Sequence, residues 1–330
     1  MGAKIRFGII GCGNVTEVKS GPGFQKAEHS ELVAVMRRSG ELAQDYALRH
    51  GVPRWYDDAQ TLIEDPEVDA VYVATPPGSH LAYTLAAAKA GKPVYVEKPM
   101  ARNAAECEQM IAACREAGVP LYVAYYRRAL PRFLKVKELL EDGAIGEVRF
   151  VSTIQYQPAP QAVEDGSVPW RLQPELSGGG LFFDLASHTL DLLDFLLGPI
   201  AEAKGIASNQ HGQFPAVEDI VTGVYRFASG VHGTGTWCFS AFGREDRNEI
   251  VGSAGKLVFS TFGQEPIRLE TASGETREFP FEAPAHIQQP LIQTIVNDLL
   301  GQGVCPSTGE STIRTSRVMD ELVKGFIASE

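Results

Sequence analysis

Residues 181–197, LFFDLASHTLDLLDFLL, are almost entirely Leu, Phe and Ala, yet carry Asp184, His188 and Asp191 at i, i+4 and i+7. That spacing sets the three on one face of a helix. Burying such a stripe costs on the order of several kcal/mol unless its members are paired or put to use. The chemistry open to them is proton transfer, because an imidazole titrates near neutral pH. A satisfied hydrogen-bond network and a stripe turned to water stay open as readings. Side chains at i and i+4 also suit a metal, but no third and fourth ligand stands out, and no metal is expected. Gly178, Gly179 and Gly180 lead into the run.

A second group follows short Val- and Tyr-rich runs. Thr75–Pro76–Pro77–Gly78–Ser79–His80 comes after one of them and Glu97–Lys98–Pro99 after the next. Ligands of open α/β sheets bind at the carboxyl ends of the strands. Thr75, Pro76, His80 and Glu97 are therefore candidates for lining a cofactor, and Lys98 is either a working cation or a solvated charge. Gly11-Cys12-Gly13-Asn14-Val15-Thr16 follows the first apolar run and reads G-x-G-x-x-T. The first glycine of such a turn allows the tight bend, and the second lets the backbone approach a pyrophosphate. Gly11, Gly13, Asn14 and Val15 are the expected dinucleotide contacts. Thr16 stands where the fingerprint has a third small residue.

Roughly 20 residues beyond the glycines an acid would bond the ribose of NAD. This chain has Met36-Arg37-Arg38-Ser39 there instead. Arginine can pair with a 2′-phosphate. Arg37, Arg38 and Ser39 thus favour NADP(H), with NAD(H) left open.

Two kinds of element have to position these residues. Strands are expected at Ile5–Ile10, Glu31–Met36, Ala70–Ala74, Pro93–Glu97 and Leu121–Ala124, with helices at Glu41–His50, His80–Ala90 and Ala104–Ala117 between them. Gly51, Gly91 and Gly118 follow the helical stretches, where left-handed caps are wanted. Apolar strands alternating with helices predict a doubly wound parallel sheet over residues 1–125. The pattern then changes. A helix at Pro131–Glu141 precedes an alternating strand at Glu147–Gln157, a Pro-rich loop and the helix at Leu181–Leu197. Runs at Val217–Phe227, Val231–Ser240, Asn248–Val251, Lys256–Ser260 and Pro266–Glu270 follow closely, then helices near Ile287–Leu300 and Ser311–Ile327. Strands this close without helices between them predict a mainly antiparallel sheet. The fold class is α/β, with a second α+β domain over 126–330 whose C-terminal helix can pack back on the first.

Composition excludes several classes. The chain has 330 residues, 44% hydrophobic and 22% charged, with net charge −11. The arginine pairs 37–38 and 127–128 are too small for a basic stripe, so no nucleic acid is expected. No apolar run reaches the roughly 18 residues of a membrane helix, and the N-terminus lacks the features of a signal peptide. Five cysteines at 12, 107, 114, 238 and 305, without a CxxC pair, suit reduced thiols in the cytoplasm.

The motifs GIIGCGN, VATPPGSH, VEKP, YYRR, PWR and GGGLFFDLASHTLD, in that order over residues 5–191, resemble the Gfo/Idh/MocA oxidoreductase family. The EKP and GGG-x₃-D-x₃-H elements together are the specific part of the match. The resemblance implies that Lys98, Asp184 and His188 line the active site, and that the proline of EKP is cis. It places Tyr126, Arg128, Trp170 and Arg171 near cofactor and substrate. The activity implied is hydride transfer between a nicotinamide cofactor and a sugar, polyol or related hydroxy or keto molecule. Dihydrodiol dehydrogenase, biliverdin reductase, NAD-dependent glycosidase and a non-catalytic dinucleotide sensor are the competing readings. The departures are Thr16, Arg37 and Gly21-Pro22-Gly23, which is expected to shorten the first helix. A homodimer or homotetramer is expected, formed through the outer face of the C-terminal sheet, since family members commonly pair there.

In this reading His188 supplies or removes the proton of a hydroxyl–carbonyl interconversion. Lys98 stabilises the developing oxyanion. Asp184, one turn earlier, orients substrate hydroxyls or the imidazole.

Overall fold

Short runs of Val, Ile, Phe and Tyr form the first six strands of the computed structural model, which describes residues 4–161 and 167–327. They are β1 (Ile5–Ile10), β2 (Ser30–Met36), β3 (Arg54–Tyr56), β4 (Ala70–Val73), β5 (Val94–Val96) and β6 (Leu121–Val123). All their pairings are parallel, in the order β3-β2-β1-β4-β5-β6. Every residue of β4, β5 and β6 is buried, as a parallel sheet covered on both faces requires. The helices Gly40–His50, Ala59–Glu64, His80–Lys89 and Ala104–Glu116 make the coverings. Gly51, Gly91 and Gly118 cap their helical stretches at φ +65°, +72° and +68°. The strand order reverses at β1 and β4, which is the switch point where such sheets bind ligands.

Two elements here are too short for a period to show. The strand β3 is only RWY, partly exposed throughout. The helix Ala59–Glu64 is six residues long and starts at Asp58, whose carboxylate accepts from Thr61 N at 2.8 Å. The first crossover also departs from expectation. Gly21-Pro22-Gly23 opens a regular helix, Gly21–Lys26, and the irregularity lies before it, where Thr16–Ser20 forms a wide i→i+5 turn.

The chain divides into two units, one running up to Leu130 and including Pro284–Ile313, the other Pro131–Ala283 and the residues from Arg314 onward. Residues 284–313, read from sequence as part of the second domain, thus group with the parallel sheet.

The second unit holds β7 (Val148–Tyr156), β8 (Ile200–Ser208), β9 (Ile220–Phe227), β10 (His232–Cys238), β11 (Glu245–Gly252), β12 (Gly255–Phe259), β13 (Ile267–Thr271) and β14 (Thr276–Phe279). They pair as β14-β13-β12-β11-β7-β10-β9-β8. Only β7 and β10 pair in parallel. A parallel pair needs a long crossover, and the helix Ser187–Leu197 lies in the intervening chain. Part of the Pro-rich loop after β7, residues 162–166, lies outside the described residues.

Burial alternates along β9 with period two, the mark of a sheet with one covered face. On that face Trp237 is fully buried, its ring 5.3 Å from Phe182 at the start of the helical stretch. The other face carries Phe150, Ile154, Ile206 and Val224, all substantially exposed. Among the described residues no helix is long and apolar enough to cross a membrane.

Candidate active site

The glycine turn is built on the end of β1. Gly11 has φ +91°, and a Cβ there would stand 2.7 Å from Thr75 Cγ2. Only glycine suits both constraints. The N–H groups of Gly11 and Cys12 donate to Met36 O at 2.8 and 3.1 Å, tying the turn to the end of β2. Gly13 faces open space, with Gly11 O at 3.8 Å the one atom near its would-be Cβ. Thr16 donates from its backbone N and from Oγ1 to Gly13 O at 2.9 and 2.8 Å. The residue that departs from the fingerprint therefore closes the turn. Asn14 is exposed and Val15 half-buried beside it. Burial pushes the Cys12 thiol up to about 11, which keeps it protonated and unreactive.

At the end of β2 the side chains of Arg37 and Arg38 are exposed and make no hydrogen bond or ion pair among the described residues. Ser39 caps the helix Gly40–His50, its hydroxyl accepting from Leu42 N at 3.5 Å. A helix cap satisfies an otherwise orphan donor, so Ser39 has a structural task beside the arginines.

Beyond β4, Thr75 Oγ1 accepts from Ser79 Oγ at 2.8 Å, and Pro76 is half-buried. His80 is fully buried, with Nε2 2.7 Å from Thr75 O and Nδ1 3.1 Å from Met100 O. Burial pulls its pKa down, against the opposing pull of the two carbonyls.

Beyond β5 the Lys98–Pro99 peptide is cis. Glu97, 7% exposed, lies inside the unit. Its Oε1 accepts from Tyr72 OH and from Gln288 Nε2, each at 2.6 Å, and its Oε2 accepts from Lys98 N at 3.1 Å. Gln288 Oε1 in turn accepts from Tyr95 OH at 2.8 Å. Burial, with Glu97 nearby, pushes both phenols well above the ordinary range, so they stay protonated and donate. Glu97, expected to meet a cofactor, thus spends its oxygens holding Lys98 and the strand ends. Lys98 itself is half-buried.

Arg128 lies inside the first unit. It is 2% exposed and donates from one guanidinium nitrogen to Pro306 O at 2.9 Å and Ser311 Oγ at 3.1 Å. Its burial and these bonds fasten residues 306–311, a structural task beside the expected contact. Tyr126 is buried beside it, under the Arg127 guanidinium.

In the second unit the stretch bearing Asp184 and His188 opens with a wide i→i+5 turn, Phe182–Ala186, before the regular helix Ser187–Leu197. Asp184 is half-buried, and its Oδ2 accepts from Arg171 Nε at 2.8 Å. The Arg171 guanidinium lies 4.3 Å from the centroid of the Trp170 ring. Trp170, Arg171 and Asp184, expected separately, thus form one cluster. His188 is 3% exposed, its ring edge-on to Phe262 at 5.6 Å. Asp191, expected to share its face, is fully buried and accepts from Thr315 Oγ1 at 3.3 Å. Asp194 is held by Arg314 through bonds of 2.6 to 3.2 Å. These two carboxylates anchor the last helix.

Sequence reading missed Glu218. It is 3% exposed beneath the triple glycine, where Gly180 N donates to both of its oxygens at 2.8 and 3.0 Å. A Cβ on Gly180 would meet Glu218 O at 2.5 Å, so the last glycine is the cost of this close approach. Burial raises the Glu218 carboxyl to about 7, although the Gly180 amide pulls the other way. Gln288 was missed as well, because HIQQP carries no local sign of a buried partner. Among the described residues no three His, Cys, Asp or Glu side chains gather as a metal site.

A parallel sheet in this order, with a glycine turn at its switch point, and a second unit offering a carboxylate and an imidazole on one helical stretch define a class: dinucleotide-binding oxidoreductases with a separate α+β unit. The chain belongs to the Gfo/Idh/MocA family. Residues 5–125 match the oxidoreductase family with NAD-binding Rossmann fold, and residues 133–258 match the GFO/IDH/MocA C-terminal domain. It is 40% identical to oxidoreductase P35 of Formosa agariphila over 97% of this chain and 98% of that one. It is 31% identical to the 1,5-anhydro-D-fructose reductase of Ensifer adhaerens over 93% and 92% of the two chains. The aldose–aldose oxidoreductase of Caulobacter crescentus, solved with glycerol, superposes with a TM-score of 0.87 at 28% identity, covering 99% of this chain and 98% of that one.

Proposed function

We propose that this protein transfers a hydride between NADP(H) and a hydroxyl or carbonyl carbon of a sugar, polyol or related small molecule. The observation that supports the reading is that each of the two units offers one of the chemistries needed. Lys98 stands beyond the end of β5 with its amide held by a buried Glu97. Asp184 and His188 stand on one largely apolar helical stretch. The names of the relatives, a sugar-derived reductase and an aldose oxidoreductase, support the substrate class.

The residues of the glycine turn suit a dinucleotide. Gly11 has no room for a side chain, and the open side of Gly13 leaves backbone accessible to a pyrophosphate. Arg37 and Arg38, exposed where an acid would favour NAD, support the 2′-phosphate preference. When bound, the nicotinamide supplies the redox chemistry. The ammonium of Lys98 stabilises negative charge on the reacting oxygen. The imidazole of His188 gives or takes the proton of that oxygen. Asp184, tethered to Arg171, orients a neighbouring hydroxyl. Five free cysteines and the absence of a disulfide among the described residues suit a reducing cytoplasm.

The test is a panel of keto-sugars, aldoses and polyols, followed by nicotinamide absorbance with both cofactors. Net consumption of cofactor with at least one of these supports the reading. Sugar release without net consumption points to a glycosidase, and binding without turnover of any of them to a sensor.

A further inference from the structure

Lys98 is followed by Pro99, which has no N–H to donate. Backbone bonding along Lys98–Pro99–Met100 therefore leans on side chains. The leading end is held by Glu97, whose Oε2 accepts from Lys98 N at 3.1 Å and whose Oε1 is itself held by Tyr72 and Gln288. At the trailing end the Met100 carbonyl faces His80 Nδ1 at 3.1 Å. The opposite ring nitrogen faces Thr75 O at 2.7 Å. The imidazole, fully buried, thus stands between the segment after β4 and the segment after β5. A neutral imidazole donates to one carbonyl in each tautomer, so the buried ring holds the two segments in turn, Met100 O through Nδ1 and Thr75 O through Nε2.

We infer that His80 is a positioning residue with two separable tasks. Through Nδ1 and Met100 O it fixes the segment that carries Lys98. Through Nε2 and Thr75 O it fixes the segment that lines the cofactor. The first task rests on the reading that Lys98 stabilises the reacting oxygen.

Two substitutions separate the tasks, because the amide of Asn places a donor near Nδ1 and that of Gln places one near Nε2. His80→Gln loses the link to Met100. It is expected to cut kcat about 10-fold, the scale of a sub-ångström misplacement of a working group, with NADPH affinity within about 2-fold of the parent on the same grounds. His80→Asn loses the link to Thr75. It is expected to keep kcat within about 2-fold and to weaken NADPH binding about 10-fold. Turnover is followed with the sugar or polyol used fastest in the substrate panel, and NADPH binding by nucleotide fluorescence. A purely structural role would lower the melting temperature of both variants and would not split kcat from cofactor affinity.

Lys98→Ala is run beside them. If it retains the parent kcat, the catalytic reading of Lys98 fails and the inference falls with it. If Lys98→Ala is impaired while His80→Gln is not, or if the two His80 variants behave alike, the inference alone is overturned. Should either variant fold poorly, NMR of ¹³C-methylated lysines decides, with the Lys98 signal assigned from Lys98→Arg. His80→Phe, which keeps a buried ring and removes both nitrogen contacts, is expected to move that signal. An unmoved Lys98 signal would mean that these buried bonds do not set its place, and would overturn the inference.

Discussion

Arg171 donates from Nε to Asp184 Oδ2 at 2.8 Å while its guanidinium stacks over the indole of Trp170, 4.3 Å from the ring centroid. The arginine side chain is half exposed and the aspartate mostly covered, so the pair itself contributes little to stability, about 0–1 kcal/mol. Its importance lies in direction. The stack fixes the guanidinium plane, and that plane fixes the carboxylate on the helical stretch that also carries His188. Arg171→Ala is therefore expected to raise KM for the sugar about 10-fold and to lower kcat less, since an orienting contact is lost and the proton carrier remains. The melting temperature should move by a degree or two at most. A KM equal to the parent's, measured with the same substrate, would remove the orienting role.

The Glu218 carboxyl predicts a pH dependence. Burial raises it from 4.5 to about 7. The folded state then holds this proton more tightly than the unfolded chain. The stabilisation is fully present below the ordinary carboxyl range and is lost as pH rises through about 7. The full swing is roughly 3 kcal/mol by linkage. Glu218→Gln keeps an acceptor for Gly180 N and cannot ionise. Urea unfolding from pH 4.5 to 8 should show the variant gaining on the parent as pH rises. A difference between the two that stays flat over that window would mean that the carboxyl is already ionised when buried.

How much of this was legible in the sequence depended on distance along the chain. The strand Ile5–Ile10 and the helix Pro131–Glu141 were read with their observed ends, because an apolar run and a helical period are local signals. The strand IAEAKGIAS was missed, since its Ala, Glu and Lys give no strand pattern. The glycine turn was legible for the same local reason. The support of Lys98 was not: Gln288 reaches Glu97 across 191 residues. The wide turn at Phe182–Ala186 could not be foreseen either. Once residues 181–197 are taken as a regular helix, Asp184 and Asp191 fall on one face, whereas Asp184 bonds Arg171 and Asp191 is buried against Thr315.

Cofactor choice is tested at the end of β2. Arg37 and Arg38 are exposed and carry no acidic partner among the described residues, so their charge is available to a phosphate. Losing one charge-assisted contact costs about 1.5–3 kcal/mol, or roughly 10- to 100-fold in affinity. Arg37→Asp should weaken NADPH binding by that amount and relatively favour NADH. Fluorescence titration showing that the parent binds NADH as tightly as NADPH would end the preference for NADP(H).

Assembly is tested on the open face of the larger sheet. Phe150, Ile154, Val224 and Ile206 share that face through the register of β7, β10, β9 and β8. Exposed apolar side chains on one sheet face are the kind of surface an interface would cover. A homodimer or homotetramer is expected to use it, and Ile206→Lys with Val224→Lys should dissociate the assembly. Light scattering at micromolar concentration reads the outcome, and a monomer mass for the parent would contradict the proposal.

The catalytic assignment rests on His188 and Lys98. Each stands on a rigid support. His188 is almost fully covered, on a helical stretch anchored through Asp191 and Asp194 to the last helix. Lys98 has its amide tied to a buried carboxylate. Fixed placement is what a proton carrier and an oxyanion partner need, since misplacement costs rate steeply. His188→Ala and Lys98→Ala are each expected to lower kcat by about two orders of magnitude or more, the usual size for losing a general acid or an oxyanion partner. Asp184→Ala should fall between parent and His188→Ala, with KM raised as well. Cofactor affinity should change little in His188→Ala, because that residue belongs to the second unit while the glycine turn belongs to the first. The pH profile adds a separate readout. If His188 moves the proton, the pH limb of kcat/KM that the proton carrier sets should vanish in His188→Ala along with the rate. Turnover near the parent's, with that limb intact, would mean that another group or water carries the proton, and the imidazole beside Phe262 would then be a packing residue.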